Sequence, residues 1–197
     1  MAGFSGGVAG LILAGGAGRR WGGPKAFARL PDGPTFLEAC ASTLHLAGLK
    51  PIAATVPPQS DEVEIAGLET FPLPASGLDM FSSLRHGLQR LTSDTSWNSV
   101  IVLPVDHPMV AEATVRRLAS TGGPAIPSYH GKHGHPVSLS RELAEKIAAR
   151  RLPGPTLREV LKDGPFVEIA VDDAGVVTNC NTPEALASAL RRSTPRP

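Results

Sequence analysis

Three cations stand among five glycines in the stretch LILAGGAGRRWGGPK, where Arg19, Arg20 and Lys25 follow an apolar run that reads as a strand. Glycines let backbone N–H groups close on an anion with no side chain between them, and nearby guanidinium and ammonium groups neutralise its charge. The segment is therefore chemically suited to a polyphosphate. Two better-known phosphate loops do not fit it. A dinucleotide fingerprint would use Gly16 and Gly18 but meets Trp21 where its third glycine belongs, and a P-loop needs Gly-Lys-Ser/Thr, whereas Lys25 lies between Pro24 and Ala26. The plain alternative is a glycine-rich turn with exposed basic residues. The strand in front and the Pro-Lys behind favour the functional reading.

Asp106 is the second anchor, ending the apolar run SVIVLPV. A carboxylate at the tip of a buried strand can hold a divalent cation, although Asp also serves often as a strand-end or helix-capping residue. Further on, YHGKHGHPVSLS gathers His130, Lys132, His133 and His135. The spacing H-x-x-H-x-H admits zinc, but no carboxylate or thiol accompanies the set, so zinc is the less favoured reading. His45, His86 and His107 read as structural or exposed. Trp21 and Trp97 read as packing residues before base-stacking ones.

These groups need elements to position them. Val8 to Ala14 reads as a buried strand. PTFLEACASTLHLAGLK carries Thr35 and Glu38 at capping-box spacing, with Pro34 in front and Gly48 closing the helix. Pro51 to Val56 is a second strand, followed by a weak helix near Asp61 to Ala66 and a short strand around ETFPLP. Asp79 caps a helix in which Met80, Leu84, Leu88 and Leu91 recur at helical spacing. After the strand Ser99 to Val105, the pattern gives a helix at AEATVRRLAS and strands at PAIPSY and HPVSLS. Helices follow at Glu142 to Arg150 and Thr156 to Lys162, then strands at Phe166 to Val171 and Val176 to Thr178, and a last helix from Pro183. Such alternation points to the α/β class, a three-layer fold with a mainly parallel sheet whose later strands run antiparallel. Residues 1–192 read as a single domain, and 193–197 as a frayed, disordered tail. In such sheets ligands bind beyond the carboxyl ends of the strands, which is where the glycine loop and Asp106 both fall.

Composition narrows the setting. The 197 residues carry a net charge of +1, so nothing suggests wholesale attraction to nucleic acid or an acidic membrane surface. Cys40 and Cys180 share no motif spacing, which favours a reducing cytoplasm over a disulfide framework. The glycine-rich start lacks the basic region of a signal peptide, and no apolar run is long enough to span a bilayer.

The segments LAGGAGRRWGGPK, LPVDHP, GHPVSLS and NTPEAL occur in the order seen in MobA-like nucleotidyltransferases, the molybdenum cofactor guanylyl- and cytidylyltransferases. The chain resembles that family over nearly its whole length, and the resemblance implies the family's fold, a three-layer Rossmann-like nucleotide-binding α/β fold with a mixed, mainly parallel sheet. More distantly, the loop is similar to that of cytidylyltransferases acting on methylerythritol phosphate and of sugar-phosphate nucleotidyltransferases. The resemblance implies transfer of a nucleoside monophosphate from an NTP to a phosphorylated acceptor, molybdopterin being the first choice, with release of pyrophosphate. It assigns Leu13, Ala14, Gly15, Gly16, Gly18 and Ser83 to the nucleotide, Arg20 and Lys25 to catalysis by charge stabilisation, and His135 and Arg85 to the acceptor. Asp106 would bind Mg²⁺. Asn181 stands where the family often has an aspartate, so it offers the metal an uncharged oxygen or leaves that place to the ion's water shell, and with Thr182 and Pro183 it can at the same time start the last helix.

The base stays open. LAGG is similar to the guanylyl form, and Gly15 in place of alanine leaves room for a purine by volume, whereas GHPVSLS and VDDAGVVTNCNTPEAL are similar to the cytidylyl branch. GTP and CTP both remain candidates. A sugar- or alcohol-phosphate transferase and a non-catalytic nucleotide-binding accessory protein are the alternatives. A molybdoenzyme or its maturation factor is a candidate partner, and the oligomeric state is not readable.

Overall fold

β1 (Gly7–Leu13) lies inside the sheet, paired in parallel with β2 (Ile52–Val56) on one edge and β4 (Trp97–Pro104) on the other. The computed structural model describes residues 7–16, 18–31, 33–60, 63–150, 156–162 and 165–193. β3 (Glu69–Pro72) extends the parallel set beyond β2. Beyond β4 the direction reverses in β7 (Val137–Ser140) and is restored in β5 (Ala125–Tyr129), which is antiparallel to β7. β8 (Val167–Ala170) runs parallel to β5, and β6 (Lys132–His133) closes a short hairpin on it. The sheet is thus mixed and mainly parallel, as the alternation of elements predicts.

Burial on both faces explains the composition of the strands. In β1, Ala9, Leu11 and Leu13 pack into one core while Ile12, with Ala14 just beyond the strand, packs into the other. The first of these cores is completed by α2 (Met80–Leu91) and α4 (Arg141–Ala148), with α5 (Leu157–Lys162) against it. The opposite core is completed by α1 (Phe36–Leu46), α3 (Glu112–Ala119) and α6 (Pro183–Ser193). Helix, sheet and helix therefore form three layers.

Local chemistry fixes the helix starts. The Thr35 hydroxyl accepts from the Glu38 amide at 3.2 Å, and Glu38 accepts from the Thr35 amide at 2.6 Å. That second bond holds the Glu38 carboxyl below its ordinary range. Asp79 accepts from the Ser82 amide at 2.8 Å and so starts α2.

Two local expectations change, and one short strand is new. Asp61 and Glu62 lie outside the described residues, and Val63 to Ile65 form no helix before the turn at Gly67, whose φ is +74°. The segment is too short to build an apolar face. Ala174–Val177 is a 3-10 turn where a strand is expected, because Asp173 accepts from the Gly175 amide at 2.8 Å and curls the chain. Val176 is buried completely by that curl. β6 goes unforeseen; it follows His130 and Gly131, whose φ of +48° and +74° suit a tight two-residue hairpin. Of the expected tail, 194–197 lie outside the described residues.

Candidate active site

The chain leaving β1 must turn back on itself to return Lys25 to the strand end. Gly18 makes that turn with φ +57°, and a Cβ there would lie 1.9 Å from the Gly23 carbonyl oxygen, so glycine is required. The Trp21 amide donates to the Gly18 carbonyl at 2.7 Å, closing a 3-10 turn over Arg19–Trp21. Trp21 then packs edge-on against Phe36, centroids 5.1 Å apart, which pins the loop to the core. A second 3-10 turn, Lys25–Phe27, buries Lys25 against the end of the sheet.

Asp106 arrives from the neighbouring strand. The Val105 amide donates to the Leu13 carbonyl at 3.1 Å, so the ends of β1 and β4 stay in register up to the carboxylate. The Cys180 amide donates to the Asp106 carbonyl at 2.8 Å and thereby brings Asn181 to the same place. Lys25 Nζ donates to Asn181 Oδ1 and lies 3.8 Å from Asp106 Oδ2. Burial pushes the Lys25 ammonium below its ordinary value, with Asp106 opposing the shift.

Behind Asp106 lie two imidazoles. His107 Nδ1 faces the Gly175 carbonyl at 3.2 Å, which makes Nδ1 the donor, and Nε2 lies 4.0 Å from Asp106 Oδ1. His107 is buried, so of the two readings for it, structural or exposed, the first holds. His135 stacks edge-on against it at 5.0 Å, and its amide donates to the Val176 carbonyl at 2.8 Å. His135 Nδ1 is buried without a partner. Burial lowers the pKa of His107, and burial followed by His107 lowers that of His135 to about 4.

A cleft of about 510 Å³ opens over this arrangement. Of the residues expected in the site, Leu13, Gly15, Gly16, Gly18, Arg20, Lys25, Ser83, Asp106 and Asn181 line it. Ala14 does not; it is fully buried, its amide donating to the Thr55 carbonyl at 2.9 Å. Arg85 also points elsewhere, its guanidinium 5.6 Å over the Phe81 ring and donating to the Ser82 hydroxyl at 3.3 Å. His135 stands in the layer behind Asp106. The side chain of Arg19 lies outside the described part of the structure.

Gly15 leaves no room for a purine, contrary to what its small volume implies. A Cβ there would meet Leu73 Cδ1 at 2.0 Å, so the space spared by glycine is filled by a buried leucine and is not left for a base. Gly77, Leu78 and Met80 also line the cleft and were missed. Met80 fits the apolar repeat of its helix in sequence, yet it is 56% exposed, because the first turn of α2 overhangs the cleft. The Ser-Gly-Leu-Asp run before the helix is the signal that marks this second wall.

Asp106 and Asn181 offer two hard oxygen donors side by side, which suits Mg²⁺, an ion that retains water and takes its other oxygens from phosphates. A glycine loop, two cations and an oxygen pair at the carboxyl end of a parallel sheet define a nucleotide-binding α/β protein of the phosphate-transferring kind. The family model for the MobA-like NTP transferase domain matches residues 10–169, and the chain belongs to that family of nucleotidyltransferases. Curated relatives named probable molybdenum cofactor guanylyltransferase include one from Mycobacterium tuberculosis, 26% identical over 93% of this chain and 94% of its own length. The crystal structure of Rv0371c from Mycobacterium tuberculosis matches with a TM-score of 0.81 at 25% identity, covering 95% of this chain and 98% of that one. A structure of Rv0371c in complex with manganese gives 0.74 at 24% identity, covering 95% and 100%. The 2-C-methyl-D-erythritol 4-phosphate cytidylyltransferase of Thermus thermophilus shares the fold, with a TM-score of 0.68 at 18% identity over 93% of this chain and 97% of that one.

Among the described residues no helix is long and apolar enough to cross a membrane.

Proposed function

We propose that this nucleotidyltransferase moves GMP from GTP to a phosphate oxygen of a molybdopterin-type acceptor, releasing pyrophosphate. The observation that carries the reading is the convergence of Arg20, Lys25, Asp106 and Asn181 on one cleft floored by the glycine loop. An acceptor oxygen attacks the α-phosphorus in line, the new P–O bond forms as the bond to the β-phosphate oxygen breaks, and the electron pair leaves on pyrophosphate. Catalysis of such a step is mostly positioning and charge neutralisation. Gly16 and Gly18 let the backbone approach the phosphates, while Arg20 and Lys25 offset charge gathering on the leaving group. Ser83, whose hydroxyl donates to the Asp79 carbonyl at 3.0 Å, lines the cleft and would accept a hydrogen bond from the nucleotide. Asp106 and Asn181 would hold Mg²⁺, which when bound supplies further positive charge beside the phosphates.

The guanine assignment is supported by the LAGG form of the loop and by the names of the relatives; GHPVSLS keeps CTP as the second candidate. Pyrophosphate release measured with GTP, CTP, ATP and UTP, each with and without molybdopterin, tests the proposal. Release with GTP only when the pterin is present is expected. Release with CTP alone would reassign the base, and no release with any of the four would sink the reading.

A further inference from the structure

The oxygen pair proposed for the metal is already engaged by a cation of the chain itself. Lys25 Nζ donates to Asn181 Oδ1 and pairs with Asp106 Oδ2 at 3.8 Å. Both ends of that ion pair are largely buried, with side-chain exposures of 11% and 15%. The loop fixes the lysine through the Lys25–Phe27 turn, and the Cys180 amide, donating to the Asp106 carbonyl at 2.8 Å, holds the backbone next to Asn181 against Asp106.

We infer that Asp106 and Asn181 seat the Lys25 ammonium and the divalent metal in turn, so that the metal enters with the nucleotide and not before it. This rests on the metal-site reading given under the proposed function. Charge decides the order. The seat has one carboxylate and one neutral amide, and Arg20 adds a second positive charge to the same cleft. A dication a few ångströms from an ammonium is strongly repelled, and one carboxylate cannot offset both. A triphosphate brings enough negative charge for both cations and draws Lys25 toward itself, freeing the two oxygens. Asn181 is then a positioning residue for Lys25 as well as a metal ligand, which gives the amide a purpose that a second carboxylate would serve less well, since it would hold the lysine too firmly.

Mn²⁺ binding followed by electron paramagnetic resonance, without nucleotide, tests the inference on the full chain. Lys25→Met keeps the aliphatic stem and removes the charge, and Lys25→Gln is a second neutral side chain. Either variant is expected to bind Mn²⁺ about tenfold tighter than the unaltered protein, and adding Asp106→Asn should abolish the gain. If both neutral variants bind Mn²⁺ no tighter, while Asp106→Asn still weakens Mn²⁺ uptake in the presence of GTP, the shared seat is wrong and the metal site stands. If Asp106→Asn leaves that uptake unchanged, the metal-site reading itself fails and the shared seat falls with it.

Discussion

The Cys180 amide donates to the Asp106 carbonyl at 2.8 Å, and this one backbone bond joins the approach to the last helix to the end of β4. It sets Asn181 next to the carboxylate without asking the side chains to find each other. The cleft is thus assembled by main-chain contacts from three separate parts of the chain, with side chains placed on rigid ends.

Asp106→Asn keeps the shape of the strand end and removes its charge. Pyrophosphate release should fall by about 100-fold or more, and raising Mg²⁺ should restore part of it. Titrating the rate against Mg²⁺ checks this; an unchanged Mg²⁺ requirement would remove Asp106 from the metal site.

Gly15→Ala drives a methyl group into Leu73 and should cost about 1–3 kcal/mol of stability. Leu73→Ala in the same chain should recover much of that cost, since it vacates the contested space. Denaturant midpoints of the two single variants and the double variant measure the coupling. Strictly additive costs would show that Leu73 does not set the requirement for glycine.

At Gly18 the conflict is with backbone, not with a movable side chain. Gly18→Ala places Cβ 1.9 Å from the Gly23 carbonyl oxygen at a φ of +57°, so the loop must open. GTP affinity should drop at least about tenfold, since a displacement costing about 1–2 kcal/mol or more would disturb the phosphate contacts that the proposed function gives this loop. Calorimetric titration with GTP gives the answer, and wild-type affinity would mean that the loop does not hold the nucleotide.

Acidification should destabilise the protein through His135. Its pKa falls from the ordinary 6.5 to about 4 on folding, because burial penalises the imidazolium and His107 adds to the penalty. Between those values the unfolded chain binds a proton that the folded chain refuses. Stability is therefore unaffected above 6.5 and declines as pH falls toward 4, by at most about 1.4 kcal/mol per pH unit. His135→Gln should flatten that slope in denaturant titrations across the range.

What the sequence reveals about this site follows from how locally each feature is encoded. Thr35 with Glu38, and Asp79 before its helix, announce helix starts within four residues, and both caps form. Arg20, Lys25 and Asp106 could be grouped in advance because parallel strands deliver their carboxyl ends to one edge. Leu73 behind Gly15 is a contact between distant segments, and no local pattern encodes it. Arg85 went astray for a related reason: its neighbours on α2 are Phe81 and Ser82, and helical spacing turns it toward them and away from Ser83's face. Val176 looks like a strand residue in isolation, but Asp173 and Gly175 favour the 3-10 turn that buries it.

Lys25 is where the proposed chemistry is most exposed to test. Pyrophosphate release by Lys25→Met should be measured with GTP, Mg²⁺ and molybdopterin, alongside a melting curve to establish that the variant folds. A folded protein with release reduced by about 100-fold or more is the expected result, because the proposed mechanism loses the buried cation it sets against the leaving phosphates. A folded variant that releases pyrophosphate at the unaltered rate would contradict the assignment of this cleft as the centre of nucleotidyl transfer.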